Sequence, residues 1–300
     1  MQQRKRKKDI SSMRTSHIIK ASSLFLKQGA SQMDIKKTAQ SIHALNQAPE
    51  HRVGYLPRSS DAIETLLSTL SDDQIIMNDQ TFIGLIKEDD SAKVLGPLTT
   101  DFNLHTIYEM WRTLTSRHPD IKTYEFYIAE RYQFGQQAMK SLKTQYLGTQ
   151  YTMTAERLTD EIDTRQVIKY SPIYKKSFCE LLKSLYVDVS AKKKEILDAL
   201  DDHYELFLLL SEGIVKGYVI LEVNDHAVCY IDHVETHKHY RQQGIGHKLV
   251  AYAAEHAFSE HQATAIQLVV EDKRKRTIEF YEKLGFQKTE EMHHFKYTTI

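Results

Sequence analysis

The chain of 300 residues is short of the residues that build special frameworks: two cysteines, five prolines, eleven glycines and one tryptophan. Two cysteines, Cys179 and Cys229, give neither a disulfide framework nor the spacing of a zinc site. Each reads as a small apolar core residue rather than a nucleophile. No apolar run approaches the roughly 20 residues needed to span a bilayer, so membrane spanning is not expected. There is no excess of charge of either sign, since 40 basic and 40 acidic side chains cancel. A globally steered nucleic-acid binder is therefore not expected. The basic opening "MQQRKRKKDI" has no aromatic residue among its charges and reads as a solvated tail. "HIIKASSLFLKQ" is too short and polar for a signal-peptide core, and a cytoplasmic location is expected. The histidine pairs His237/His239 and His293/His294 lack a completing ligand at metal spacing, so no metal is expected.

What remains is an ordinary globular composition, 41% hydrophobic and 27% charged, at a length that suits two domains. Helix-like stretches occur around Ser16–Gln28 and Met33–Gln47. "SSDAIETLLSTL" then places Ile63, Leu66, Leu67 and Leu70 on one helical face. "QIIMNDQTFIGLIKEDDSAKVLGPL" reads as three strands with turns at Asn78–Asp79 and Asp89–Asp90. A helix "LHTIYEMWRTL", a strand "TYEFYIA" and a helix from Phe134 to Tyr146, stopped by Gly148, follow. The second half repeats this order. Its helices are "YKKSFCELLKSLY" and "AKKKEILDAL", and its three strands turn at Ser211–Gly213 and Asn224–His226. Then come a glycine-flanked helix, the strand "AIQLVV", a helix over about Lys273–Leu284 ended by Gly285, and a closing hairpin. The expected class is α/β, as a duplicated mixed, mostly antiparallel sheet flanked by helices. The expected division is 1–50 for tail and helical segment, 51–155 for the first domain and 165–300 for the second, joined by "TMTAERLTDEIDTRQV".

In a chain poor in glycine, Gly244 and Gly246 stand one residue apart, directly before the helix "HKLVAYAAEHAF". A strand that delivers the chain through glycine to a helix N-terminus makes an anion site, with free N–H groups and the macrodipole turned to the ligand. The glycines would let phosphate oxygens reach the amides of Gln243 through His247. Neither the dinucleotide fingerprint nor the P-loop fits, because position 249 is leucine and no G-K-[ST] follows. Glycines serving only a tight turn are the plain alternative.

"RQQGIG", Arg241 to Gly246, resembles the R/Q-x-x-G-x-G/A signature of the GNAT family of N-acetyltransferases, and "EFYEKLGF" resembles the family's second acetyl-CoA motif. The resemblance covers about 168–300. The first half is similar in element order only and lacks both the glycine pair and the acid, which implies a tandem protein with a degenerate N-terminal copy. The resemblance implies acetyl-CoA as co-substrate, and direct acetyl transfer in a ternary complex to a primary amine of a small molecule or peptide. It implies pyrophosphate binding by Arg241, Gln242, Gln243, Gly244, Ile245, Gly246 and His247, and pantetheine pairing along Val234 and Thr236. Tyr281 takes the general-acid position. Asp232 and Glu235 are candidate bases, though three apart on a regular strand they should face opposite ways; Glu271 is a third. The second motif often carries Asn and Ala where this chain has Arg274 and Thr277. Arg274 is the expected contact to a coenzyme A phosphate, at the start of a final helix whose N-cap is read as Asp272. A non-catalytic acyl-CoA-binding protein is the alternative from another class, and a structural module a third. Neither the acceptor nor the oligomeric state is read from the sequence.

Overall fold

The computed structural model describes residues 34–57, 59–159, 161–200, 203–223 and 227–299. The basic tail, the helix expected over Ser16–Gln28 and the turn at Asn224–His226 lie outside the described residues. The chain forms two compact units. One comprises 152–270 and 274–289, and the other comprises the preceding residues to 151 together with 271–273 and 290–300.

The N-terminal unit contains α1 (Ile35–Gln47), α2 (Ser60–Thr69), β1 (Ile75–Met77), β2 (Thr81–Glu88), β3 (Ser91–Thr99), α3 (Leu104–Ser116), β4 (Thr123–Ala129) and α4 (Gln133–Ser141). β1, β2 and β3 are antiparallel neighbours, and β4 runs parallel to β3. The helical spacing of Ile63, Leu66 and Leu67 does place all three in the core, beside Trp111 and Leu114 of α3 and Phe126 and Ile128 of β4. Each buried side chain of that size contributes about 1.5–3 kcal/mol of transfer free energy.

Two expectations fail in this half for local reasons. The helix expected from Phe134 to Tyr146 stops at Ser141, because Lys143 turns left-handed (φ 55°) and the Thr144 amide closes back on Met139 O at 3.1 Å. "QYLGTQYTMTA" is rich in β-branched and aromatic residues and forms β5 (Gln145–Ala155), so Gly148 lies inside a strand.

The C-terminal unit contains β6 (Val167–Lys169), α5 (Lys175–Leu185), α6 (Val189–Ala199), β7 (Tyr204–Ser211), β8 (Ile214–Glu222), β9 (Val228–Thr236), α7 (Ile245–Glu260), β10 (Ala265–Glu271) and α8 (Lys275–Lys283). β6 to β9 are successive antiparallel neighbours, and β10 lies parallel to β9. One face of the sheet is covered by Phe178, Leu181 and Leu182 of α5 and Ile196 of α6, packed on Leu206, Leu208, Tyr218 and Ile220. α7 covers the other face with a small-residue stripe, Ala253, Ala254 and Ala257, that lets the helix approach closely. An added Cβ on Gly217 of β8 would lie 2.9 Å from Leu249 Cδ1, which shows how tight that contact is.

The closing hairpin is not formed. Residues Gln287–Thr298 make one strand, β11, since no turn-forming residue interrupts "QKTEEMHHFKYT". From Met292 to Thr298 it pairs antiparallel with Ala129 back to Thr123 of β4. Residues 290–300 therefore cluster with the N-terminal unit, whereas a division by sequence order runs the second domain to 300. Asp272 does not cap the final helix: α8 opens with Arg274 as N-cap, and the Asp272 amide bonds to Thr149 O at 2.9 Å. Gly285 follows the C-cap Leu284 in a left-handed conformation (φ 100°), as a helix stop needs.

Candidate active site

β9 carries the site because of where its pairing stops. β10 matches it only from Val228 to Tyr230, and beyond that register β9 continues beside β8 alone. One edge of its last six residues is thus free of β10. The burial of Asp232 through Thr236 is intermediate throughout, in a strand that starts in the core.

A bulge then decides which side chains share a face. Leu221 pairs with Ile231, but the next residue of β8, Ile220, pairs with His233, so Asp232 is an extra residue. Strict alternation would send Asp232 and Glu235 to opposite faces. The inserted residue resets the alternation, and Asp232, His233 and Glu235 all fall on the side of Tyr218 and Ile220. Lys192 of α6 accordingly influences all three electrostatically. The expectation that the two carboxylates diverge is overturned by this one residue.

Burial dominates the electrostatics. It raises Asp232 to about 7, helped by the charge of Glu222 and opposed by Lys192. It also raises Glu235 above the usual carboxylate range, opposed by Arg241 and Arg274. Glu235 keeps 32% of its side-chain surface, so a proton can still reach it. Burial, with the positive charge of Lys192 and Arg274, pushes His233 down to about 3 and keeps its ring neutral. The Tyr186 hydroxyl sits 2.8 Å from His233 Nε2 and 2.8 Å from the Tyr218 hydroxyl, which fixes the ring in a chain of three polar groups. His233, Tyr186 and Tyr218 have no motif of their own. His233 could be found only by knowing of the bulge.

Tyr281 is buried on α8 between Phe280 and Phe286. Its phenol is raised well above the ordinary tyrosine range, first by burial and then by the Glu235 charge, with Arg274 opposing. The acid and base candidates thus sense one another. Asp232 instead interacts with Glu222, Lys192 and Glu195. The charge of Arg274 acts on Glu235, His233 and Tyr281, and so on the polar site as well as at the start of α8. Glu271 clusters with the N-terminal unit, where Lys273 pairs with it at 3.0 Å.

The free end of β9 leads through a short turn at Lys238–Tyr240 to the glycines. Arg241 reaches back, with Nε 3.4 Å from Thr236 O and Nη2 3.7 Å from Glu235 Oε2. Gln242 and Gly244 are both left-handed (φ 63° and 75°), and Gly244 is the N-cap of α7 without a side-chain cap bond. The first-turn amides of α7, including Ile245, Gly246 and His247, have no preceding turn to pair with and face outward. The two glycines differ in role. A Cβ on Gly244 would meet nothing within 4 Å, whereas one on Gly246 would press on Phe280 at 3.3 Å. Gly244 keeps the approach to the amides open, and Gly246 lets α7 lie against α8, where the His247 ring meets Phe280 at 4.5 Å. Val234, opposite Val219, and Thr236, opposite Gly217, lie on the α7 side of the strand.

The histidine pairs take other roles. His237 Nδ1 accepts from the His239 amide at 3.2 Å and closes the turn after β9. His293 and His294 are consecutive in β11, and His294 stacks on Tyr127 at 4.3 Å. Cys179 and Cys229 are free thiols. No helix among the described residues is long and apolar enough to cross a membrane.

Residues 172–286 match the family model for the acetyltransferase (GNAT) family. No curated protein matches the chain. Among solved structures, a GCN5-related N-acetyltransferase from Sphaerobacter thermophilus aligns with a TM-score of 0.63 at 14% identity, covering 90% of this chain and 94% of that one. A tandem GNAT protein from the clavulanic acid biosynthesis pathway aligns at 0.62 and 10% identity, covering 90% and 97%. A GCN5-related N-acetyltransferase from Kribbella flavida aligns at 0.53 and 16% identity, covering 74% and 88%. At these identities the likeness establishes the fold, and both units are spanned by it. The family match falls on the segment that holds the divergent strand, the left-handed glycine and the buried tyrosine. Residues 172–286 are an acetyltransferase domain of the GNAT family, within a chain that has the tandem GNAT fold.

Proposed function

We propose that the C-terminal unit transfers an acetyl group from acetyl-CoA to a primary amine of a small molecule or peptide, by direct attack in a ternary complex. The observation that carries this reading is the edge of β9 left free of β10, which bears Glu235 and leads to the uncapped, glycine-opened start of α7. A carboxylate raised by burial and a phenol raised by the same burial stand within electrostatic reach, beside the free edge of β9. Binding alone would need neither.

In this reading the amides from Gln243 to His247, in the glycine loop and the first turn of α7, hold the pyrophosphate, with Arg241 beside them, and the edge at Val234 to Thr236 pairs with pantetheine. A backbone N–H on that edge stabilises negative charge on the thioester oxygen. Glu235 takes a proton from the acceptor ammonium so that the amine can attack, and Tyr281 gives its proton to the departing thiolate. Glu235 is preferred over Asp232 as base because its charge, and not that of Asp232, reaches Tyr281. Asp232 lies further back, among Glu222, Lys192 and Glu195. The N-terminal unit carries no transfer chemistry.

The test is acetyl transfer to a panel of metabolite amines, polyamines, aminoglycosides and peptide N-termini, followed with the best acceptor over a pH series. Activity should fall as pH drops through the raised Glu235 value, where the base is protonated. Glu235→Gln should lower kcat by roughly 10²-fold or more and abolish that acidic limb. Coenzyme A binding with no turnover on any amine would favour the non-catalytic acyl-CoA-binding alternative. An acidic limb that persists in Glu235→Gln would remove Glu235 as base.

A further inference from the structure

On the opposite face of the same sheet, under α7, three side chains converge outside the transfer site. Glu205 projects from β7, and both His256 Nε2 and His261 Nε2 lie on its Oε2, at 2.8 and 3.0 Å. One ligand atom from each residue falls within 4.8 Å of the others, and this is the only such group of three or more among the described residues. We propose that Glu205, His256 and His261 form a binding site for a divalent ion of the zinc class.

Donor chemistry points to that class. Two imidazole nitrogens with one carboxylate oxygen suit zinc and its late first-row neighbours, whereas calcium and magnesium take mostly oxygen ligands. A tetrahedral ion with bonds of about 2.0–2.1 Å holds its ligand atoms about 3.3 Å apart; the two histidine–carboxylate separations need to open by only a few tenths of an ångström to reach this, and all three ligand atoms already lie within 4.8 Å of one another. Three protein ligands leave a fourth position for water.

The surroundings fix the donors before any ion arrives. Glu205 is buried on β7, where it lies opposite Leu221 of β8. The His256 ring is packed edge-on against Phe207 at 4.8 Å and parallel to Tyr252 at 6.0 Å. His261 is the C-cap of α7, so the cluster lies at the carbonyl end of a 16-residue helix. Unpaired carbonyls and the macrodipole favour a cation there.

An ordinary ion-pair network is the competing account, because Lys169 also binds Glu205, through Oε1. Lys169 leaves 61% of its side chain in solvent and can swing away. A network would need only one histidine to neutralise the carboxylate, yet two aim at the same oxygen. On ion binding each imidazole must present a lone pair at Nε2, so any proton there moves to Nδ1 or to solvent. Lys169 then becomes a competitor for the carboxylate, which separates the two accounts.

The experiment uses the full chain, stripped of metal by a chelator and dialysed. Zinc chloride is titrated by calorimetry, and cobalt chloride by the visible absorption of four-coordinate cobalt. One saturable site per chain is expected. His256→Gln and His261→Asn should each weaken it at least hundredfold, while Lys169→Met should tighten it several-fold. His261→Asn keeps a residue suited to the helix end, and Lys169→Met removes no ligand, so neither test depends on a damaged fold. Absence of saturable binding to the wild type would overturn the site. So would binding unmoved by the histidine variants, which would belong to other histidines, or binding weakened by Lys169→Met.

Discussion

From their first pair of helices onward the two units place the same elements in the same order, yet one is closed where the other is open. In both, a parallel pair of strands registers for three residues and then parts: β3 with β4 from Ser91, and β9 with β10 from Val228. Past that point Val94 through Thr99 of β3 are all buried, while Asp232 through Thr236 of β9 remain partly exposed. The first cleft is filled by its own chain. The helices that follow differ in the same sense. Asn103 caps α3 by accepting from the His105 amide at 2.9 Å, and Asp101 stands beside it with Thr106 3.2 Å from its carboxylate. α7 has glycine there and no cap bond. A helix end that has satisfied itself and carries a carboxylate repels a phosphate, and one that has done neither invites it.

The final helices make the contrast chemical. Thr144 N bonds to Met139 O and Phe286 N to Tyr281 O, each at 3.1 Å, after a left-handed Lys143 or Gly285. By this shared closure Met139 in α4 corresponds to Tyr281 in α8. Matching the two halves on the sequence pairs Leu147–Gly148 and Leu284–Gly285 would set Thr144 against Tyr281, but Leu147 and Gly148 lie in β5, so that match does not hold. A methionine fills the space and offers no proton.

Making the second unit resemble the first should abolish its chemistry step by step. The largest effect is expected from Tyr281→Phe, which keeps the ring between Phe280 and Phe286. We expect kcat to fall roughly 10²-fold with coenzyme A affinity nearly unchanged, as read by steady-state kinetics and calorimetry. Wild-type kcat with chemistry still rate-limiting would leave Tyr281 as packing alone, as Met139 is.

Next is the helix mouth. Gly244→Val should weaken coenzyme A binding at least tenfold, about 1.4 kcal/mol. Gly213 in the β7–β8 turn supplies the control, having nearly the same left-handed φ (74°) and equally open surroundings. Gly213→Val should carry similar backbone strain and leave affinity unchanged. Equal losses in the two variants would mean that strain, and not a blocked approach, explains the effect.

The smallest effect belongs to the first unit. Asn103→Ala removes the α3 cap and should cost about 1 kcal/mol of stability in urea unfolding. Transfer activity should stay at the wild-type level. A loss of coenzyme A affinity there would show that the N-terminal helix end also serves the ligand.

Most of the strands, the long helices and the glycine loop were legible because hydrophobic spacing, turn residues and a short motif are all local in the chain. The position of Tyr281 on the final helix was legible through its motif. The grouping of Asp232, His233 and Glu235 was not, since a single inserted residue in β9 changes the face of everything after it and leaves no mark in composition. His256 and His261 were hidden likewise: their partner Glu205 is 51 and 56 residues away, a distance that no motif spans. The single strand β11 was misread as a hairpin because its pairing partner comes from the other half of the chain.

That partner has a consequence for biosynthesis. Ile121 and Thr299, bonded across the foot of the β4–β11 pair, are 178 residues apart. While a ribosome is still making the second unit, β4 has β3 on one flank and nothing from β11 on the other. The nascent first unit therefore waits with an unsatisfied strand edge beside Tyr124 and Phe126, the kind of surface that recruits chaperones or stray strands. Synthesis of residues 290–298 is what releases it, so the whole of the intervening segment is translated before the unit that precedes it can finish folding.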